Sequence, residues 1–312
     1  MFSGPGPRNV SGVSNASATS HASGDNGVLF ARDLDFTLRD FERVRDLIYR
    51  RAGIVMAENK REMVYSRLAK RLRLHGMNRF SDYLDRLETR AESEEWEAFI
   101  NALTTNLTAF FREAHHFPVL AEEIRRRGAG IKIWCAGAAT GEEPYSLAMT
   151  VKETLGAAAS QVKILATDID TEALKTARAG VYPLETVEKL GEARCRQFFQ
   201  RGSGARAGKA RVRPELAAMI DYRPLNLVTG SWSINGPFDI IFCRNVMIYF
   251  DRETQTNILR RFASQMKPDG LLFAGHSENF SFLSQAFRLR GQTVYTLASP
   301  SSRTVSDVSR QE

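Results

Sequence analysis

The chain has 312 residues, 43% hydrophobic and 25% charged, enough apolar material for about two domains without disulfide or metal staples. Three cysteines (Cys135, Cys195, Cys243), with no C-x-x-C spacing, exclude a disulfide framework and a zinc ribbon and point to a reducing, cytoplasmic setting. No apolar run reaches the ~18 residues of a membrane span, the first thirty residues have no secretory apolar segment, and the net charge of +7 is concentrated in one place.

Residues 1–30 are mostly Ser, Gly, Ala and Asn and read as a disordered tail. Residues 31–105 read as a helical domain. Thr37 and Asp40 have capping-box spacing, Phe41, Val44 and Ile48 form a stripe, and Gly53 is the stop. A second helix over Glu58–Arg73 buries Val64, Leu68 and Leu72 and ends at His75-Gly76; a third starts at Ser81. A fourth carries Trp96, Phe99, Ile100 and Leu103 at i, i+3, i+4, i+7. Between Lys60 and Arg79 lie seven basic residues against one acid, Glu62. Spacing puts Lys60, Arg67 and Arg71 on one helix face, which suits an acidic partner or, more plainly, a solvated surface.

After a linker and helix over 106–130, residues 131–298 alternate strands and helices. Strands are expected at Lys132–Cys135, Val162–Ala166, Phe238–Cys243, Leu271–Ala274 and Val294–Leu297, with helices over Tyr145–Lys152, Glu172–Arg178 and Thr254–Met266. Unbroken apolar strands between helices mean a doubly wound, mostly parallel α/β sheet with its ligand at the strands' carboxyl ends. A segment at about 190–223 breaks the rhythm and reads as a small antiparallel insertion. Residues 299–312 read as a flexible end.

The loop after the first strand, Ala136 to Pro144, is rich in small residues yet lacks the middle glycine of a dinucleotide fingerprint. Glu142 and Glu143 occupy the place where a phosphate would sit, so a cationic ligand without phosphate fits better, S-adenosylmethionine for example; the residues alone do not choose between the two glutamates. Asp168 ends the second strand where an acid for ribose hydroxyls is expected, and Asp170 suits a helix N-cap. Arg244, Asn245 and Tyr249 emerge after the strand Phe238–Cys243, although Tyr249 also suits a core position. Adjacent His115 and His116 do not face one metal, and no metal site is expected. His276-Ser277-Glu278 lacks the context of a triad.

Five segments together carry a resemblance: LTTNLTAFFREAHHFP (Leu103–Pro118), ATGEEPYSLA (Ala139–Ala148), ATDIDTEAL (Ala166–Leu174), FDIIFCRNVMIYFD (Phe238–Asp251) and KPDGLLFAGHSENF (Lys267–Phe280). In this order they resemble the bacterial chemotaxis receptor methyltransferases, the CheR-type protein-glutamate O-methyltransferases, from about Phe36 to Leu297. The resemblance implies a class I S-adenosylmethionine-dependent methyltransferase fold: a seven-stranded sheet with its last strand antiparallel, a small β-subdomain and an N-terminal all-α domain. It implies cofactor contacts at Asn106, Thr108, Arg112, Glu143, Asp168, Asn226, Leu227, Arg244 and Asn245, and places Arg112 and Tyr249 beside the transferred methyl. The product is S-adenosylhomocysteine and the acceptor a glutamate on the cytoplasmic methylation helices of chemoreceptors.

With that target, Lys60, Arg67, Arg71 and Arg73 become the expected docking residues. The Gly-rich turn Arg201–Arg211 resembles that of members which grip a receptor C-terminal peptide. A monomer, recruited to receptor clusters at the inner membrane without inserting into it, is the default expectation. The competing readings are a nucleic-acid methyltransferase, against which stands the absence of a Pro-Pro-aromatic element after the Phe238–Cys243 strand, and a non-catalytic cofactor sensor. A dehydrogenase fits least.

Overall fold

Thr37 opens the first helix with a reciprocal capping box: its hydroxyl accepts from the Asp40 N–H and the Asp40 carboxylate accepts from the Thr37 N–H. In this computed structural model, residues 34–90, 94–281 and 283–298 are described; the expected tails at 1–30 and 299–312 lie outside them. Helix α1 spans Leu38–Ala52 and ends on Gly53, whose φ of 68° is the left-handed stop its sequence position called for. Then come α2 (Arg61–Leu74), entered through a 3₁₀ turn at Glu58–Lys60, α3 (Phe80–Thr89) and α4 (Glu94–Leu103). Phe41, Val44, Ile48, Val64, Leu68, Leu72, Leu84 and Phe99 form their shared core.

The basic helix does not present all its expected residues. Arg67 is turned inward and its Nη1 donates to the carbonyls of Leu103 and Thr104, satisfying the end of α4. Arg71 pairs with Glu95, which also accepts from Tyr83 and contacts His75. Burial opposes ionisation of Glu95, but these partners prevail and hold its carboxyl at about 2. Lys60, Lys70, Arg73 and Arg79 are the exposed basic positions of this stretch, Arg79 lying 4.0 Å from Asp35. Apolar stripe positions fix which way a helix faces, and Arg67 and Arg71 flank that stripe rather than oppose it.

The second region runs α5 (His116–Arg127), β1 (Ile133–Cys135), α6 (Glu142–Leu155), β2 (Ile164–Asp168), α7 (Thr171–Ala179), β3 (Val181–Pro183), α8 (Leu184–Glu188), α9 (Glu192–Phe198), β4 (Phe199–Arg201), β5 (Lys209–Val212), α10 (Pro214–Ala217), β6 (Ile220–Pro224), β7 (Phe238–Cys243), α11 (Arg252–Gln265), β8 (Met266–Ala274), β9 (Phe287–Gly291) and β10 (Val294–Leu297). Seven strands form one sheet in the order β6-β2-β1-β7-β8-β10-β9. All its pairings are parallel except those of β10, which runs antiparallel to both neighbours. Strand alternation sorts the core: Ile133, Cys135, Ile240 and Phe242 meet α5 and α6 on one face, while Trp134, Ile241 and Cys243 meet α11 on the other.

The insertion needs correcting. Its three-stranded sheet, β3-β5-β4, begins at Val181, and Ile220–Pro224 belongs instead to the edge of the main sheet, paired with β2. The residue pattern of β6, with Tyr222 inward and charged neighbours outward, is that of an edge strand and resembles the insertion's own strands.

Along the seam between helical and α/β regions, Tyr49 Oη donates to Asp251 at 2.6 Å, Asn226 Nδ2 donates to the Arg51 carbonyl at 2.8 Å, and the Val55 N–H donates to the Tyr249 carbonyl at 2.8 Å.

Candidate active site

The strand order reverses between β1 and β7, and the loops that leave their carboxyl ends diverge around a crevice. Two glycines allow the β1 loop to lie close. A Cβ on Gly137 would stand 2.4 Å from Cγ2 of Val246, and Gly141, at φ 101°, has Tyr182 Oη 2.7 Å from where its Cβ would be. The loop then enters α6, which brings Glu142 and Glu143 into its first turn. Successive helical residues point about 100° apart. Glu142 turns to Thr140, whose hydroxyl donates to it at 2.7 Å, and Glu143 is the one that lines the crevice.

Asp168, at the tip of β2, accepts the Ala139 N–H on Oδ2 at 2.8 Å and the Asp170 N–H on Oδ1 at 2.9 Å. Burial raises its pKa from the ordinary value, opposed by those two amides. Each oxygen retains acceptor capacity toward the crevice. Asp170 is the N-cap of α7, accepting the Ala173 N–H, and its other oxygen accepts from the Thr104 hydroxyl at 2.6 Å and Asn106 Nδ2 at 2.7 Å. Thus Asp170 ties the linker after α4 against the start of α7.

Arg244 lies behind Glu143. Its Nε donates to Glu143 at 2.6 Å and its Nη1 to the Arg112 carbonyl at 2.7 Å and to Nδ1 of His116 at 3.2 Å. His116 is fully buried, with Nε2 on the Gln292 carbonyl. Burial, with the charge of Arg244 beside it, lowers its pKa to about 4, so the imidazole is neutral. Glu113, His115 and His116 bring donor atoms within 4.8 Å of one another, as a metal site would. The cation already in that cluster is Arg244, 3.7 Å from Glu113. Bonds from His276 hold Glu113 ionised, overcoming the opposing effect of burial.

The segment carrying Arg112 is held in an uncommon backbone shape. Phe111 and Glu113, on either side of it, have φ of 52° and 53°; Ala139 and Asn245 at the same crevice have 46° and 58°. Non-glycine residues there cost on the order of 1 kcal/mol each and persist only where packing enforces them. Here the Phe111 N–H donates to Ser146 Oγ at 2.9 Å, its ring lies under Arg194, and Phe110 packs edge-on against Tyr182 and Phe199 of the insertion. Arg112 itself donates from Nη1 to the Leu107 carbonyl at 2.8 Å. Opposite strand β7, buried Glu278 accepts the N–H groups of Gly275, Asn245 and Met247 and so fixes the turn leading to Tyr249.

The result is a cleft of about 270 Å³. All ten expected cofactor and catalytic residues line it: Asn106, Thr108, Arg112, Glu143, Asp168, Asn226, Leu227, Arg244, Asn245 and Tyr249. Lys60, Arg67, Arg71 and Arg73 do not. Two of the ten face other duties: the Asn226 amide holds the end of α1, and the Arg244 guanidinium holds Glu143. Ile54, Thr104, Leu107, Ile169, Leu225 and Ile248 also line the cleft and escaped the sequence reading. Ile169 and Leu225 directly follow the strands β2 and β6, where neighbouring side chains at a strand end are the signal that would have found them; Ile54, Thr104 and Leu107 follow helices and carry no such signal.

This lining fits S-adenosylmethionine. Carboxylates at Glu143 and Asp168 suit an ammonium group and ribose hydroxyls, Ile169, Leu225 and Leu227 offer apolar walls for a nucleobase, and neither loop glycine is arranged around a phosphate-binding lysine.

Two comparisons with known proteins agree with this geometry. Residues 39–104 match the family described as CheR methyltransferase, all-alpha domain, and residues 106–296 match CheR methyltransferase, SAM binding domain. The chemotaxis protein methyltransferase of Escherichia coli is 58% identical over 258 residues, covering 83% of this chain and 90% of that protein. Its namesake in Salmonella typhimurium is 55% identical over 278 residues, covering 88% and 96%. Chemotaxis protein methyltransferase 2 of Pseudomonas aeruginosa is 52% identical over 270 residues, covering 86% and 96%.

Proposed function

Because this chain belongs to the CheR methyltransferase family and is an S-adenosylmethionine-dependent methyltransferase of chemotaxis, we propose that it esterifies glutamate side chains on the cytoplasmic helices of chemoreceptors. The observation that carries this reading is the meeting of Arg112 and Tyr249 with Glu143 and Asp168 in one cleft.

S-adenosylmethionine supplies a methyl group on a sulfonium, whose carbon–sulfur bond breaks as the carboxylate oxygen–carbon bond forms, leaving S-adenosylhomocysteine. A glutamate with pKa ≈ 4.3 is already ionised at pH 7, so the protein need not supply a base. Its residues have a placement task, and orientation in a near-attack geometry is worth ~7–11 kcal/mol. Glu143 and Asp168 hold the cofactor, Arg244 keeps Glu143 aimed through its 2.6 Å hydrogen bond, and Arg112 with Tyr249 orients the incoming carboxylate. The Tyr249 hydroxyl has no hydrogen bond to another described residue in the structure, which leaves it available for that contact. A firm grip by Arg112 would stabilise the ground state, so its role is orientation.

Docking of an acidic receptor helix falls to the exposed Lys60, Lys70 and Arg73. A receptor C-terminal peptide would pair with the insertion, whose β3 and β4 are each bonded on one side only. Among the described residues no helix is long and apolar enough to cross a membrane.

The test is transfer of labelled methyl to receptor-containing membranes, followed by mild alkali. Label released as methanol supports the ester; label that stays, or that appears on nucleic acid, overturns it.

A further inference from the structure

Three large apolar side chains stand in solvent around the mouth of the cleft: Leu107 is 80% exposed, Ile248 50% and Val55 49%. Leu107 and Ile248 line the cleft itself, and Val55 is bonded through its N–H to the carbonyl of Tyr249. Scattered exposed apolar residues are ordinary; these three are tied to one cleft, two in its lining and the third through Tyr249.

Each is fixed to a residue that orients the acceptor. The Leu107 carbonyl accepts from Arg112, Ile248 sits in the 3₁₀ turn Met247–Tyr249 pinned through Met247 to Glu278, and Val55 is tied to Tyr249. A small free acid reaching Arg112 and Tyr249 would leave these side chains in water. A glutamate borne on a polypeptide would cover them with whatever flanks it. Charge adds direction, for five residues beyond Val55 the chain reaches the exposed Lys60, and α2 after it carries the exposed Lys70.

We infer that Val55, Leu107 and Ile248 form an apolar collar that reads the residues beside the acceptor glutamate. The substrate it selects is an amphipathic helix with apolar side chains next to that glutamate on the same face and acidic residues farther along, over Lys60 and Lys70. The inference rests on the glutamate-methylating reading and names the substrate feature that decides which glutamates are used. Covering a half-exposed aliphatic side chain strengthens association about fivefold or more.

The test uses the full chain and two labelled 20-residue helical peptides. Both carry a central glutamate and two distal glutamates; leucines flank the centre in one and serines in the other. Fluorescence anisotropy should show the leucine peptide binding at least fivefold tighter, and the difference should vanish in Val55→Ser/Leu107→Ser/Ile248→Ser. Val55→Ser alone should raise KM for receptor membranes about fivefold while S-adenosylhomocysteine affinity and the circular dichroism spectrum match wild type. Equal binding of the two peptides, or an unchanged KM, overturns the collar while leaving glutamate methylation standing. Wild-type protein that transfers no methyl to receptor glutamates overturns both. Self-association that disappears in the triple variant would give the collar to a second copy and overturn the proposal as well.

Discussion

Arg244 and Glu143 form a buried ion pair, Nε to Oε2 at 2.6 Å, at the point where the sheet's strand order reverses. One end of the cofactor cleft therefore depends on a charge supplied from the neighbouring strand. Removing the arginine would leave a buried carboxylate uncompensated, which costs about 3–5 kcal/mol. Urea denaturation of Arg244→Leu should show a loss of that size, whereas Glu143→Gln, which leaves Arg244 with Glu113 at 3.7 Å, should lose less and lower S-adenosylhomocysteine affinity at least tenfold by calorimetry.

Tyr249→Phe should reduce kcat for methyl transfer about tenfold or more and leave S-adenosylhomocysteine affinity near wild type, because the phenol touches the acceptor side. Arg112→Ala should reduce transfer further. Full transfer activity in a folded Tyr249→Phe protein would remove the tyrosine from the reaction.

The basic stretch divides by orientation. Lys60→Glu and Lys70→Glu should raise KM for receptor membranes, and the penalty should shrink as salt rises. Arg67→Ala should instead lower stability by about 1–3 kcal/mol, since it strips donors from the carbonyls that end α4. Thermal melts and salt-dependent kinetics separate the two effects.

Acid should weaken the protein through His116. Its folded pKa of about 4 lies below the ~6.5 of an exposed histidine, so between those values the unfolded chain binds the extra proton. Stability is therefore full above pH 6.5 and falls as the pH drops toward 4, by on the order of 2 kcal/mol at pH 5. In His116→Gln that part of the pH dependence should be absent from denaturation curves taken between pH 4 and 7.

Much of this arrangement was legible in the residues. Thr37, Asp40 and Gly53 mark the first helix because caps are local chemistry, and the strands that contain Trp134 and Ile241 are apolar on both sides because helices cover both faces. Strands β6 and β9 were hidden by exposure: an edge strand carries charges, so Arg223 fell into the expected insertion and Arg288 into no expected element. The choice between Glu142 and Glu143 turns on helix phase at a glycine-rich start, which spacing alone does not set. Arg67 and Arg71 looked like surface charge because composition records that a cation is present and not that a helix end or Glu95 receives it.

The seam at Tyr49–Asp251, Arg51–Asn226 and Val55–Tyr249 has a consequence for modularity. Residues from both sides of it, Ile54 and Leu103 as well as Asp168 and Tyr249, wall the same cleft. A recombination joint placed between the two regions would exchange half a binding wall. Chimaeras that inherit a foreign helical region must inherit its seam partners too, so the two regions act as one binding unit although chain order suggests two.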